Sequence, residues 1–292
     1  MDVKNHRIDE IWYKQSSNIG GTIAPTLIVT HYTTGWSGAG SRDWLLGSAG
    51  NTANTGSSAH VVIDRDGKAW QLVPFNRKAW HAGPSRHGSL SGINSHSVGL
   101  EFVNPGWLKP DAGGGWADYH GVRRTSSDLG AFGGFIEAPH ARVGSGSFAW
   151  PLYTPAQLAT GLEIARALVA KYPIAAVVTH EEIDTRGWKT DPGPAFPQQA
   201  FADLLDGGAD DAPPARYRVS AVRLNLRGGS GLQHERIDPP GYLPEDTEVA
   251  VIRREGDWSY VEVTKPAGQV AGLKAGLRGW VSHAYLEWQL DG

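Results

Sequence analysis

Apolar residues in the first two-thirds of the chain fall into short continuous runs bounded by turn residues. Residues 26–32 (TLIVTHY), 59–63 (AHVVI), 69–73 (AWQLV), 98–103 (VGLEFV) and 175–179 (AAVVT) each read as a strand. Unbroken runs of this length suit strands covered on both faces. Asp66-Gly67, between the second and third runs, predicts a hairpin turn. The pattern then changes to a helical period. Leu158, Leu162, Ala165, Leu168 and Val169 share one helical face. Thr154 is the predicted N-cap, Pro155 takes the first helical position and Gln157 closes a capping box. This helix should end near Lys171-Tyr172-Pro173, and 197–205 should form a last short helix. Strands interleaved with helices predict an α/β unit with a mixed central sheet flanked by helices.

Two stretches break the pattern. Residues near 105–150 are rich in Gly, Ser and charge, and their periodicity selects no element; loops this long are often functional. At 206–215 acid, Gly and Pro replace the apolar period, which predicts a solvated linker. Beyond it, 217–222, 248–253, 258–263 and 279–281 are short β-type runs without a helical pattern, as in a small all-β barrel. The predicted organisation is therefore 1–205, with an inserted stretch near 105–150, then a linker at 206–215, then 216–292.

Composition narrows the chemistry. The chain has no Cys, which excludes a disulfide scaffold, a Cys-ligated zinc finger, an iron–sulfur cluster and a thiol nucleophile. Any metal must be held by His, Asp or Glu. The net charge is −3, residues 216–292 carry ten basic and ten acidic residues, and the rest carries 17 and 20. No part is a polycation, so nucleic acid is not the expected partner. No run of about 18 apolar residues predicts a membrane span. The first residues lack the apolar core of a secretory signal, so action outside the cytoplasm would follow release or export by another route, and otherwise the protein would stay cytoplasmic. Oligomeric state is left open.

His31 and His180 each end an apolar run, and Asp191 follows in the loop 185–194. Ligands of open α/β sheets bind beyond such strand ends. Two imidazoles and one carboxylate are a common catalytic zinc set, and such a metal makes water acidic enough to supply hydroxide near neutral pH. A histidine at a strand end is also commonly structural. Glu101 lies inside an apolar strand, where a carboxylate is costly unless it is paired or faces a site, and a Glu beside a metal is a natural general base; a strand-edge Glu facing water is the alternative. Lys189 and Asp191 alternate along an extended loop and can face one pocket, where a cation would stabilise an oxyanion. A lone surface Lys would mean nothing.

Taken in order, these residues resemble the zinc-dependent N-acetylmuramoyl-L-alanine amidases of the amidase_2 type, related in fold to peptidoglycan recognition proteins. The resemblance covers roughly 20–205, with the 105–150 stretch outside it. It is carried by Ile28-Val29-Thr30-His31-Tyr32-Thr33, by 58–67 (SAHVVIDRDG), by Ala79-Trp80-His81-Ala82-Gly83, by Asn94 with Ser97-Val98-Gly99-Leu100-Glu101, and by His180 with Lys189-Thr190-Asp191-Pro192-Gly193-Pro194. It implies that His31, His180 and Asp191 hold one Zn²⁺, that Glu101 is the general base, that Lys189 stabilises the oxyanion, and that Trp80, His81 and Asn94 touch a muropeptide. The implied reaction cleaves the amide between N-acetylmuramic acid and L-alanine in bacterial peptidoglycan, as in an endolysin. Ala59 stands where some relatives carry Tyr, which puts more weight on Glu101. Residues 224–230 (LNLRGGS), 242–249 (YLPEDTEV), 256–261 (GDWSYV) and 279–286 (GWVSHAYL) resemble a bacterial SH3 domain of the wall-binding kind, with Trp258 and Trp280 expected in its core and Tyr242 and Trp288 as weaker binding candidates. A non-catalytic peptidoglycan-binding protein of the same fold, and a zinc hydrolase of another amide, are the competing readings.

Overall fold

The structure is a computed structural model that describes residues 1–54, 56–205, 216–255 and 257–288, with the backbone alone at 253–255 and 288. The stretch read as a linker, 206–215, lies outside the described residues. The chain divides into two compact units, residues 2–211 and 212–292.

The larger unit is built on β1 (Trp12–Tyr13), β2 (Leu27–Tyr32), β3 (Val61–Ile63), β4 (Ala69–Gln71) and β5 (Ser97–Phe102). An inserted hairpin of β6 (Phe135–His140) and β7 (Gly144–Pro151) precedes β8 (Ala176–Thr179). The sheet order is β8-β2-β5-β3-β4-β1. β8, β2, β5 and β3 run parallel, β4 returns antiparallel to β3, and β1 pairs parallel with β4. Every residue of β2 and β5 is buried, which is why both read as unbroken apolar runs. The β3–β4 turn closes through Gly67 at φ +83°, with its N–H donating to Asp64 O.

Among the described residues, five α-helices flank or follow the strands: α1 (Gly38–Leu45), α2 (Ser126–Ala131), α3 (Pro155–Lys171), α4 (His180–Ile183) and α5 (Gln198–Ala202). α3 has the bounds its period and caps predict. Thr154 accepts from the Gln157 N–H as N-cap, but Gln157 does not close a capping box. Its side chain turns inward instead, and Nε2 donates to Ile63 O at 2.9 Å and Val103 O at 3.1 Å. The expected cap residue thus ties α3 to the ends of β3 and β5. Close approach of α3 to the sheet requires Gly161, where a Cβ would lie 2.5 Å from the Phe102 ring.

The inserted stretch is folded. Short strands Lys109–Pro110, Trp116–Ala117 and Arg123–Arg124 pair as a three-stranded sheet, followed by α2 and the β6–β7 hairpin. Leu108, Trp116, Leu129 and Ala149 form one core, with Trp36 and Phe135 packed on it. Tyr32, Phe148 and Trp150 form a second, so the insert is anchored to β2. Its strands are mostly two residues long, too short to show a period.

The smaller unit holds β9 (Arg216–Val219), β10 (Arg223–Asn225), β11 (Tyr242–Pro244), β12 (Glu248–Glu255), β13 (Trp258–Lys265), β14 (Arg278–Ser282) and β15 (Leu286–Trp288). Five of them make an antiparallel sheet in the order β14-β13-β12-β9-β15, and β10 pairs with β11. Trp280 is in the core as expected. Trp258 is only half-buried and, with Arg227, Leu232 and Tyr285, lines a shallow groove. The Trp288 side chain lies outside what is described. Among the described residues, no helix is long and apolar enough to cross a membrane.

Gly161 yields a test in which two effects oppose each other. Alanine gains about 1 kcal/mol of helix propensity over glycine, while overpacking against a buried ring costs about 1–3 kcal/mol. Gly161→Ala should therefore lower the urea midpoint; a raised midpoint would show that α3 can back away from Phe102.

Candidate active site

Parallel pairing brings three strand ends to one edge. His31 pairs with Glu101 in register, and Thr179 pairs with Thr30, so His180 follows beside His31. His180 does not end a strand, as its apolar run suggested, but opens α4. Thr179 caps that helix by accepting from the Glu182 N–H, and the Glu182 carboxylate accepts the Thr179 N–H. Asp191 arrives on the following loop. Asp184 organises that loop: its Oδ2 accepts the N–H groups of Trp188 (3.0 Å) and Lys189 (3.1 Å). Asp191 O in turn accepts the Glu181 N–H at 3.0 Å.

His31, His180 and Asp191 are buried and their donor atoms converge. His31 Nδ1 lies 3.0 Å from His180 Nδ1 and 3.0 Å from Asp191 Oδ2, and His180 Nδ1 lies 2.8 Å from the same oxygen. The surrounding hydrogen bonds decide where the ring protons sit. Ser97 donates its one hydroxyl proton to Ile93 O at 2.8 Å, so His81 Nε2, 3.3 Å from the Ser97 oxygen, must be the donor there. His81 Nδ1 is then an acceptor, and it takes its proton from His31 Nε2 at 2.9 Å. His180 Nε2 faces the Ala82 carbonyl at 3.2 Å and must donate. With each Nε2 committed as a donor, a neutral ring at either position turns a bare Nδ1 toward the Asp191 carboxylate. Three lone pairs at this spacing repel unless a cation lies among them. Ligands around a tetrahedral zinc, with bonds of 2.0–2.2 Å, are separated by roughly 3.3 Å, so the donor set fits a metal with a small outward adjustment.

The electrostatics agree. Burial pushes His31 down to about 4 and His60 to about 4, and holds His81 well below its usual range, with the neighbouring histidines adding to the effect. Burial would raise the Asp191 carboxyl, but the His180 and His31 rings against it hold it well below the usual range. These directions favour a neutral His31 imidazole and an Asp191 carboxylate, the protonation states a metal requires of those two donors.

Glu101 is buried beside this set, and its Oε2 has no hydrogen-bond partner. Burial, then the Asp191 charge, pushes its carboxyl well above the usual range, against the opposing pull of Lys189. Lys189 lines the same cleft and stacks its ammonium 4.7 Å from the Trp188 ring centroid. Trp80 forms part of the wall, 42% exposed. His81 and Asn94 are differently employed from the substrate contacts expected of them. His81 reaches the cleft floor, but both ring nitrogens are engaged. Asn94 is buried away from the cleft lining, and its Oδ1 accepts the N–H groups of His81 (3.0 Å) and Ala82 (2.8 Å). It positions the segment that fixes both ring tautomers.

The cleft has a volume of about 810 Å³. Sequence reasoning missed much of its wall: Trp36 and Trp44 around α1, Trp188, and Trp107, Tyr119 and Arg142 from the insert. The signal for these was the tryptophan density of segments that show no period.

A family model described as N-acetylmuramoyl-L-alanine amidase, Amidase_2, matches residues 21–194. The chain belongs to the Amidase_2 family. Its family segment contains every residue of the buried donor set, together with Glu101 and Lys189. The chain is similar to N-acetylmuramoyl-L-alanine amidase AmiD of Escherichia coli (strain K12), with 31% identity over 155 residues, 52% of this chain and 44% of AmiD. It is also similar to 1,6-anhydro-N-acetylmuramyl-L-alanine amidase AmpD of Salmonella typhimurium (strain LT2), with 31% identity over 149 residues, 51% of this chain and 57% of AmpD. The chain thus spans about half the length of these curated relatives. A solved structure of E. coli AmiD with anhydro-N-acetylmuramic acid-L-Ala-D-gamma-Glu-L-Lys is 26% identical, covers 69% of each chain and has a TM-score of 0.43.

Glu101 leaves a measurable trace in the Amidase_2 unit freed of metal. A carboxyl whose folded pKa is raised contributes stability below its unfolded pKa of about 4.3 and loses it as pH rises through the folded value. Urea midpoints of chelator-treated wild type and Glu101→Gln should therefore diverge with rising pH, the variant gaining on the wild type by about 1 kcal/mol or more. Parallel profiles would show that Glu101 ionises as easily folded as unfolded.

Proposed function

We propose that the chain is a zinc-dependent N-acetylmuramoyl-L-alanine amidase that hydrolyses the amide between the lactyl group of N-acetylmuramic acid and L-alanine in peptidoglycan. The observation that carries this reading is the convergence of His31 Nδ1, His180 Nδ1 and Asp191 Oδ2 within 3.0 Å, in the cleft that also holds the unpartnered Glu101 carboxylate. Membership of Amidase_2 and the names of its relatives supply the substrate class.

His31, His180 and Asp191 would hold one Zn²⁺, which when bound polarises the scissile carbonyl and lowers the pKa of water. Glu101 Oε2 takes the proton of the attacking water and then delivers it to the leaving nitrogen of L-alanine. Its burial favours the protonated form, which suits the second step. The Lys189 ammonium, on the same cleft wall, faces the negative charge that develops on the carbonyl oxygen. Trp80 offers a flat apolar surface to the muropeptide. A general base of this kind contributes about 10²–10⁴-fold.

The smaller unit reads as a bacterial SH3-like module that holds the enzyme on the wall in an endolysin-like manner. Its groove beside Trp258 and Tyr285 supports that role. Tethering raises the local concentration of substrate without a new contact at the catalytic cleft.

Three measurements test these assignments. Mass spectrometry of digested peptidoglycan should show new L-alanine amino ends and no new reducing sugar ends; reducing ends would replace this reading with a glycosidase. Chelation should abolish release and Zn²⁺ should restore it. Glu101→Gln should bind Zn²⁺ like the wild type yet lose about 10²-fold or more in kcat, whereas His180→Ala should lose Zn²⁺ as well. A fully active Glu101→Gln protein would exclude Glu101 as the base.

A further inference from the structure

We infer that Arg142, at the tip of the inserted β6–β7 hairpin, is a positioning residue that fixes the Lys189 backbone and thereby aims the Lys189 ammonium into the cleft. The inference rests on the proposed amidase reading for what Lys189 does, and on geometry alone for what Arg142 does.

The hairpin turn closes where the Val143 N–H donates to His140 O at 3.0 Å, which presents Arg142 on its outer bend. From there Arg142 Nη1 donates to Lys189 O at 2.9 Å. The same guanidinium lies 3.6 Å from Glu181 Oε1 and 3.9 Å from Asp184 Oδ2. Each acceptor belongs to the segment that runs from His180 to Asp191. Asp184 receives the Lys189 N–H from the other side. The peptide groups on both sides of the Lys189 Cα are thus held, one by Asp184 and one by Arg142, which leaves the side chain its own rotors but no freedom of backbone direction.

The rest of the hairpin grips the same segment. His140 Nε2 lies 3.0 Å from Glu181 Oε2, so two hairpin side chains share the carboxylate of the residue that follows His180. Trp150 fills the space against Gly193, where a Cβ would lie 2.5 Å from the ring. Just past the hairpin, the Tyr153 hydroxyl donates to Pro192 O at 2.7 Å. The hairpin therefore contacts the segment at both ends, at 181 and at 193, and Arg142 contacts it in the middle.

A merely stabilising role fits poorly. The Arg142 side chain is 26% exposed and Glu181 is 32% exposed, and ion pairs this open to solvent are worth about 0–1 kcal/mol. Geometry at a charge-stabilising group is worth far more, since a displacement of about 1 Å can cost about 10²-fold in rate. Arg142 also lines the cleft with Lys189, so its hydrogen bond lies where substrate would enter. The fork of a guanidinium suits one carbonyl and two carboxylates at once, which a lysine ammonium can match only in part.

The test is a double-mutant cycle on the full chain loaded with Zn²⁺, read as release of L-alanine amino ends from a soluble muropeptide. Arg142→Ala should lower kcat by about 10-fold or more with KM within about two-fold, and Arg142→Lys should recover part of the loss. In a Lys189→Ala background, Arg142→Ala should cost less than about two-fold, because its target is gone. An equal cost in both backgrounds overturns the inference, as does an unchanged kcat in Arg142→Ala. Zn²⁺ affinity measured against a chelating dye should stay within about two-fold; a loss of about 10-fold or more would mean that Arg142 serves Asp191 instead and would overturn it too. Amide hydrogen exchange gives an arm independent of catalysis. Exchange at Trp188 and Lys189 should speed up in Arg142→Ala and slow again in Arg142→Lys. Unchanged exchange there overturns the positioning role even if the wild type proves to cleave another amide.

Discussion

Two imidazole nitrogens and a carboxylate oxygen meet within 3.0 Å at the buried floor of the cleft, and much of the larger unit serves to keep them there. Left to themselves the rings would turn. They are prevented by hydrogen bonds on their far sides, which run from Ile93 O through Ser97 and His81 to His31, and from Ala82 O to His180. Asn94 holds the His81–Ala82 segment from which both restraints come. The arrangement is a second layer around the donor set, and it accounts for polar residues that a sheet of this kind would otherwise exclude. His60 belongs to the same layer: its Nδ1 accepts the Gly99 N–H at 3.0 Å and its Nε2 donates to Arg77 O at 2.9 Å. Gly99 is glycine for a steric reason, since a Cβ there would stand 2.6 Å from the His81 ring.

The insert completes this site from the other side. A central sheet of six strands delivers His31, Glu101 and His180 to one edge by register alone, but Lys189 and Asp191 come from a loop, and loops need external restraint. The β6–β7 hairpin supplies it through Trp150, His140 and Arg142, and Tyr32 on β2 adds a hydrogen bond to the Thr190 hydroxyl. The same insert raises a wall of the cleft with Trp107 and Tyr119. A short Gly-rich segment would leave the loop free to move and the cleft open to solvent.

How far the sequence was legible follows from this division. β2, β5 and β8 were readable because strands covered on both faces leave unbroken apolar runs, and α3 because its caps and period agree. His31 and His180 were readable because they sit where those runs stop, and Asp191 because it follows on the next loop. What escaped were elements whose signal is shorter than a period: β1, the two-residue strands of the insert, and α1, whose polar sequence GAGSRDWL shows little apolar stripe. Gln157 and His180 were placed on the right elements, or at their borders, with the wrong local role. Gln157 satisfies buried carbonyls rather than a cap, and His180 begins a helix rather than ending a strand. For Gln157 a tertiary hydrogen bond outweighed the local preference, and for His180 the Thr179–Glu182 capping box starts a helix where the apolar run stops. Motif order carries no depth: the fold places Asn94 away from the cleft lining and His81 at the cleft floor with both ring nitrogens engaged.

The absence of Cys has a consequence for how Glu101 and the donor set are coupled. With Asp191 as third donor, burial and then the Asp191 charge push the Glu101 carboxyl well above its usual range. A cation among the donors reverses the sign of the field at Glu101 and favours its carboxylate, the form that accepts a proton. Lys189 acts in the same direction with a single charge. The ionisation of Glu101 is thus tied to the charge in the donor set. A buried carboxylate with no partner is tolerable only under such an arrangement, because the neutral acid costs far less to bury than the ion. The unpartnered oxygen of Glu101 and the converging lone pairs beside it are therefore one feature of the site, each explained by the cation that the other anticipates.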